Sequence, residues 1–332
     1  MTLFLPKKGP VLPRAASDAE PPAAQAAPAF LPEGARPPYG PFTRGQLARA
    51  AGSGVLLESR ALWCDAARTL HFDLGACAGE LPFAECCLEA RAGEARAAAA
   101  LSRVGRMTCF AVQSVPAEEG APALLSRAAA QAACRAQYLD ALVPGDILPC
   151  RVTHLERYGA FCDVGCGVTA LLPIDCMSVS RIAHPSQRVS EGEVLHCAVK
   201  MRDARGRLVL TMKELLGTWE ENAAHLHPGD VAVGVVRSRE SYGVFIELAP
   251  NLAGLAEPDT AAQPGQTVSV YIKGIVPERM KVKLAVLHVL PGPPLRFAAA
   301  CAPAAGHLDR WVYSPPQCPR VVETVFSDGQ DG

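Results

Sequence analysis

The sequence predicts a mainly β protein built from small closed barrels in tandem. The first observation is an internal repeat, in which residues 152–173 align with residues 235–257. The second is a Pro-Gly-Asp turn that opens each copy. The third is the patterning within each copy, where short runs of alternating side chains are separated by turns that contain Gly. Because repeats of this kind form equivalent structural units, we expect the two copies to fold as neighbouring domains.

Each copy contains five short strand patterns. Three lie in the aligned blocks, and two more follow a Gly in residues 192–213 and 265–286. Five strands are too few for a sandwich and fit a small closed Greek-key barrel. The OB fold is therefore the predicted architecture.

A weaker third copy lies upstream, in residues 57–82. Asp73-Leu74-Gly75 matches residues 163–165, and residues 79–82 parallel residues 170–173. Its closing strands are expected in MTCFAVQSV and ALLSR, where Ser126 corresponds to Thr211. We expect this copy to be a degenerate barrel.

The segments outside the repeats divide the rest of the chain. Pro and Ala dominate the N-terminal region, which predicts a disordered or polyproline-like arm. A helix is expected after it, with Thr43 as its N-cap. Helix formers follow Ser126, and Thr211 with Glu214 forms a T-x-x-E capping pattern ahead of the second linker. The expected units are an arm (1–42), a degenerate barrel (43–127), a helical linker (128–143), a barrel (144–213), a second linker (214–227), a third barrel (228–290) and a tail with short strands (291–332).

Composition limits the possible functions. The formal net charge of -1 gives no overall basic excess, so any contact with nucleic acid must be local. The thirteen cysteines are scattered without a C-x-x-C pair, which indicates free thiols in a reducing cytoplasm. No apolar run approaches the roughly 20 residues that cross a bilayer. No motif suggests a catalytic set, a metal site or a cofactor, so we expect a cytoplasmic monomer that is not an enzyme.

Two aromatic residues are the leading candidates for a binding site. Tyr158 and Phe161 flank a Gly at the start of a strand, where both rings can point away from the barrel. Exposed rings stack on nucleic-acid bases with little sequence preference. Packing inside the barrel is the alternative. Asp203 and Arg207 flank a later hairpin turn and could return to the same face, although they could equally form an ordinary surface ion pair.

The second repeat resembles the S1 RNA-binding domain family along nearly its whole length. The resemblance lies in a G-D turn followed by a strand ending in V, then in Y-G-A-F-x-D-x-G, and then in V-K-x-x-D-x-x-x-R-L-x-L-T. In that family two aromatics, a histidine, and the Asp and Arg of the late hairpin form the RNA face. The resemblance implies single-stranded RNA or mRNA as the ligand and the small ribosomal subunit as a possible partner. The implied contacts are Tyr158, Phe161, Lys200, Asp203 and Arg207 in the second repeat, Tyr242, Phe245, Lys273 and Lys281 in the third, and His71 in the first.

The repeats depart from that pattern unequally. The histidine position holds Pro173 in the second repeat and Glu257 in the third, where a carboxylate would repel phosphate. Pro277 and Lys281 replace the Asp and Arg of the hairpin. We therefore expect the second repeat to bind RNA best, the third more weakly, and the first to dock protein. The alternative is an adaptor whose barrels dock proteins and have largely lost RNA binding.

Overall fold

Three closed five-stranded barrels follow one another along the chain. They are seen in a computed structural model that describes residues 30–36, 39–118, 120–298 and 301–326. Barrel 1 contains β1 (Leu57–Cys64), β2 (Leu70–Asp73), β3 (Ala78–Leu81), β4 (Met107–Ser114) and β5 (Ala123–Ser126). Barrel 2 contains β6 (Asp146–Glu156), β7 (Gly159–Asp163), β8 (Thr169–Pro173), β9 (Val194–Arg202) and β10 (Leu208–Thr211). Barrel 3 contains β11 (Val231–Glu240), β12 (Gly243–Ala249), β13 (Leu252–Ala256), β14 (Thr267–Val276) and β15 (Lys281–Val289).

All three barrels have the same topology. The first three strands form an antiparallel meander, the third pairs with the fifth in parallel, and the fourth closes the barrel against the first. This order is the OB-like Greek key that the repeats predicted. The prediction is confirmed for the degenerate first copy as well, because its closing strands pair Ala111 with Ser126 as barrel 2 pairs Ala198 with Thr211.

Short helices join the barrels. Helix α1 (Arg44–Ser53) begins after Thr43, whose side chain accepts a hydrogen bond from the Gln46 backbone. Two short helices, α2 (Leu88–Arg91) and α3 (Ala98–Leu101), lie between β3 and β4 of barrel 1. Helix α4 (Arg127–Gln137) leads into barrel 2 and is capped by Ser126.

The helix cap predicted at Thr211 and Glu214 is wrong. Thr211 ends β10, where its buried hydroxyl donates to the Glu214 carboxylate, and residues 213–216 form a 3-10 turn. The second linker helix is α5 (Trp219–Ala223), with its capping box at Thr218 and Glu221. Because Thr211 closes the barrel, the later T-x-x-E pattern is the one that can begin a helix.

The arm predicted over residues 1–42 lies mostly outside the described residues. Its last part is packed rather than disordered. Phe30 joins the core of barrel 2, and Phe42 joins that of barrel 1. The Phe42 backbone also donates to the carbonyl of Leu74. Aromatic side chains in a Pro/Ala-rich segment therefore tie the end of this segment to the two barrels.

A buried carboxylate joins barrel 1 to barrel 2. Glu33 lies between the guanidinium groups of Arg103 and Arg127, and its backbone donates to the Asp163 carboxylate at 2.7 Å. Burial alone raises the pKa of Glu33, but the charges of Arg127 and Arg103 outweigh it, so the net effect lowers that pKa. Burial, followed by the charge of Glu33, raises the pKa of Asp163. This network fixes the two barrels against each other.

A second buried carboxylate joins barrel 2 to barrel 3. Glu247 follows Phe245 on β12 as Asp163 follows Phe161 on β7, and it pairs with both Arg188 and Arg237. The side chains of Arg188 and Glu247 are fully buried. The same strand position thus supplies a buried carboxylate at both junctions.

The tail packs against two barrels. Strands β17 (Arg310–Val312) and β18 (Glu323–Val325) pair with each other, and Trp311 and Tyr313 join the core of barrel 3. Strand β16 (Gly306–His307) instead pairs with β6 of barrel 2, where Phe326 also packs. The tail thus bridges barrels 2 and 3. None of the helices in the described residues is both long and apolar enough to cross a membrane.

Candidate nucleic-acid interface

The outer face of barrel 2 presents the two predicted aromatic rings together. On β7 the residues on both sides of Phe161 are buried while Phe161 itself is half-buried, and 55% of Tyr158 is exposed. The ring centroids lie 6.1 Å apart at an interplanar angle of 89°. Neither ring fills the barrel, whose interior is occupied by other apolar side chains. Both rings therefore lie on the outer face of the barrel, in different orientations.

A glycine is required beside these rings for a local packing reason. A Cβ atom at Gly159 would lie 2.5 Å from the carbonyl oxygen of Leu172 and 3.0 Å from the Cα of Pro173. The strand that carries Pro173 thus passes directly over this position. Any larger residue would push β7 away from β8 and displace both rings.

The predicted Asp203 and Arg207 pair lies at the edge of the same face. Nε of Arg207 donates to the Asp203 carboxylate at 2.8 Å, and the other carboxylate oxygen accepts from the backbones of Arg205 and Arg207. The hydrogen bonds from Arg207 are the main cause of the lowered pKa of Asp203. Arg207 remains 61% exposed. The carboxylate therefore holds the guanidinium in position without removing it from solvent.

Lys200 lies apart from this pair. Its Nζ is 3.2 Å from the sulfur of Cys176, and the side chain is half-buried. The ammonium group is therefore engaged with the protein. Of the five predicted contacts in barrel 2, Tyr158, Phe161, Asp203 and Arg207 share one groove, and Lys200 is not among the residues that line it.

Barrel 3 repeats the aromatic geometry with a different set of charges. Tyr242 and Phe245 have ring centroids 6.1 Å apart at 90°, and 65% of Tyr242 is exposed. Glu257, expected to repel phosphate, is paired with Lys273 at 2.6 Å. Lys281 is exposed, as is Lys283, which stands where barrel 2 has Val209. Neither lysine has an ion-pair partner in the described part of the chain.

Barrel 1 has a different aromatic surface. The register of β1 and β2 places His71 at the position of Phe161. Trp63 covers it, with ring centroids 3.7 Å apart and planes 5° from parallel. The nitrogens of His71 face Asp65 and Glu80, and only 16% of its side chain is exposed. The open aromatic face in barrel 1 therefore belongs to Trp63, which is 52% exposed.

The sequence did not reveal which residue of the first strand pairs with the aromatic ring on the second strand of each barrel. Trp63, His154 and Ser238 occupy equivalent positions opposite His71, Phe161 and Phe245, respectively. Each follows a register shift in the first strand of its barrel. A β-bulge of this kind changes which side chains are neighbours, and strand alternation alone does not reveal it. In barrel 1 the tryptophan itself was the one available signal in the sequence.

The comparison with family models agrees with this geometry. Residues 142–213, which include all of barrel 2, match the family model described as S1 RNA binding domain. These residues are S1-like. The matched barrel is the one in which the aromatic pair and the late-hairpin Asp and Arg occur together.

Curated relatives extend the likeness over about half of the chain. A small ribosomal subunit protein bS1 from Staphylococcus epidermidis is 33% identical over 171 residues, covering 47% of this chain and 43% of that protein. A bS1 protein from Staphylococcus aureus (strain COL) is 33% identical over 168 residues, with the same shares. The aligned part of the chain thus spans less than half the length of these relatives.

Among solved structures, a multidomain protein with nucleic acid binding domains from Streptococcus pneumoniae is similar at 14% identity. The match covers 70% of this chain and 73% of that chain, with a TM-score of 0.24.

Proposed function

We propose that the chain binds single-stranded RNA, chiefly on the S1 domain of barrel 2. The observation that carries this proposal is the open pair of rings, Tyr158 and Phe161, on the same groove as Arg207. Bases stack on exposed aromatic rings at about 1–3 kcal/mol each. A guanidinium can contact phosphate or stack on a base. An Arg207 side chain already oriented by Asp203 loses less conformational freedom when it does so.

Barrel 3 supplies a second site of the same kind. Tyr242 and Phe245 reproduce the ring geometry, while Lys281 and Lys283 act as point charges for phosphate. Barrel 3 lacks an arginine held by a carboxylate at the late hairpin, since Pro277 and Lys281 occupy those positions. We therefore expect binding to barrel 3 to depend more on salt and less on base stacking than binding to barrel 2.

The biological ligand we propose is mRNA, bound in association with the small ribosomal subunit. Support comes from the relatives, which are bS1 proteins of that subunit. Such a role would place the chain in the cytoplasm and needs no cofactor. In this proposal the chain acts as a monomer, and its three barrels offer a series of faces along which one RNA strand can run.

Ultraviolet crosslinking of the full chain to oligouridylate tests this function. Mass spectrometry of the crosslinked peptides should locate the main crosslinks at Tyr158 and Phe161, with weaker ones at Tyr242 and Phe245. A duplex of the same length should crosslink poorly, because its bases are not free to stack on side chains. Crosslinks confined to barrel 1 or to the tail would contradict the proposed site.

A second role, protein docking, is favoured for barrel 1 by one observation. Leu62 and Trp63 are consecutive residues, each 52% exposed, and Trp63 stacks on His71, whose ring nitrogens face Asp65 and Glu80. Exposed apolar side chains rimmed by polar ones are typical of protein contacts, and the carboxylates disfavour RNA. Sedimentation with and without ribonuclease separates the roles: if the barrels act only as a protein adaptor, cosedimentation with ribosomal subunits should survive RNA digestion.

A further inference from the structure

A groove of about 1030 Å³ runs from the aromatic face of barrel 2 to barrel 1. One side is formed by Tyr158, Phe161 and Arg207, and the other by Arg106 and neighbouring residues of the segment between β3 and β4. Binding pockets of about 300–1,000 Å³ hold a drug-sized ligand, so this groove has room for more than one base. The candidate RNA face is therefore the mouth of a larger site.

The side of the groove that belongs to barrel 1 is an ordered part of the fold. Residues 82–106 connect β3 to β4 there, whereas residues 257–266 connect the corresponding strands in barrel 3. The end of the longer connection is fixed by the ion pair of Arg103 with the buried Glu33. At Gly167 on the groove, a Cβ atom would lie within 3.0 Å of both Arg127 and Glu33, so the floor is tightly packed. Because the groove is already formed, little conformational entropy is lost when a ligand enters.

The charges of the groove suit a phosphodiester backbone at two positions. Six arginines line it against five carboxylates, and most of these are engaged with one another, as in the Glu33 and Asp203 pairs. Arg106 is exposed and has no ion-pair partner among the residues that the structure describes. Arg135 is 3.9 Å from Asp140, with 47% and 52% of the two side chains exposed. A loose exposed pair of this kind contributes little and opens easily.

We propose that the RNA strand stacked on Tyr158 and Phe161 continues through this groove, where Arg106 and Arg135 neutralise its phosphates. The inference rests on the proposed function and extends it from one barrel to the cleft between two. It assigns barrel 1 a part in holding RNA through its β3–β4 segment and not through its own aromatic face.

The test compares RNA lengths on the full chain. Fluorescence anisotropy would measure binding of oligouridylates of about five and about twelve nucleotides, a range that spans the footprint of a single OB fold. The variant is Arg106→Glu with Arg135→Glu. The matched control is Arg49→Glu with Arg320→Glu, which reverses two exposed charges outside the groove. We expect the double variant to bind the short RNA as the wild type does and the long RNA several-fold more weakly. The salt slope for the long RNA should fall by about 1.4, or about 0.7 per phosphate contact.

Each other outcome overturns the inference in a distinct way. If the double variant binds both lengths like the wild type, the groove does not hold RNA, although the proposed function stands. If both lengths lose affinity equally, or if the control variant Arg49→Glu with Arg320→Glu has the same effect, the charge change acts generally and no path through the groove exists. If the wild type binds neither RNA at low salt, the proposed function fails and the groove assignment fails with it.

Discussion

Trp63 lies flat against His71 in barrel 1, at the two strand positions that His154 and Phe161 occupy in barrel 2. The stack covers one face of the imidazole ring and leaves the other face of the indole ring exposed. The same pair of positions thus carries different chemistry in the two barrels. Because Trp63 covers it, His71 on β2 is not an open surface for base stacking.

His71→Ala should therefore leave the affinity for oligouridylate unchanged. It should lower the stability of the protein by about 0.5–1.5 kcal/mol, because an aromatic stacking contact is lost. Thermal unfolding and anisotropy measure the two effects on the same samples. A clear loss of RNA affinity without a loss of stability would mean that His71 contacts RNA after all.

Trp63 can also be followed directly, since it is the exposed one of three tryptophans. Trp219 is 2% exposed and Trp311 is 8% exposed. Acrylamide should therefore quench the tryptophan fluorescence of the protein mainly at Trp63, and Trp63→Phe should abolish this quenchable fraction. If RNA addition protected Trp63 from acrylamide, the aromatic face of barrel 1 would belong to the RNA path.

The buried carboxylate between barrels 2 and 3 should matter more than either arginine that it pairs with. Glu247→Gln leaves both Arg188 and Arg237 buried without a counter-charge, and we expect it to cost about 3–5 kcal/mol. Arg188→Met leaves Glu247 paired with Arg237 and should cost less. Urea denaturation of the two variants gives the order, and the reverse order would contradict this account of the junction.

The pH dependence of stability should carry a signature of Glu58. Burial raises the pKa of this carboxyl from 4.5 to about 7, outweighing its hydrogen bonds from the backbones of Gly34 and Arg36. The folded protein therefore holds this proton more tightly than the unfolded chain does. The stability that results is fully present below about pH 4.5 and is lost as the pH rises through about 7.

Glu58→Gln mimics the protonated carboxyl and should remove that loss. Above pH 7 the variant should be more stable than the wild type, by up to about 3 kcal/mol. At pH 4.5 the two proteins should unfold at similar temperatures. Melting curves across this range decide the matter, since a constant difference between the two proteins would exclude titration of Glu58 as its cause.

The sequence predicted those parts of the molecule that are encoded locally. The repeats, the five strands of each barrel and the Tyr-Gly-x-Phe rings follow from alternation and from Gly-containing turns. The parts it did not predict depend on contacts between distant residues. Glu33 sits in a Pro/Ala-rich segment and is buried by Arg103 and Arg127, and Trp63 faces His71 because of a β-bulge. Neither relationship has a signature in nearby sequence.

The most direct measurement is the affinity of single-stranded RNA for two matched double variants. One carries Tyr158→Ala with Phe161→Ala in barrel 2, and the other carries Tyr242→Ala with Phe245→Ala in barrel 3, where the rings have nearly the same geometry. The barrel 2 variant should lose about thirtyfold or more in affinity, from about 1–3 kcal/mol for each stacked base, and the barrel 3 variant should lose less. If the barrel 2 variant bound RNA as tightly as the wild type, RNA would not lie on Tyr158 and Phe161.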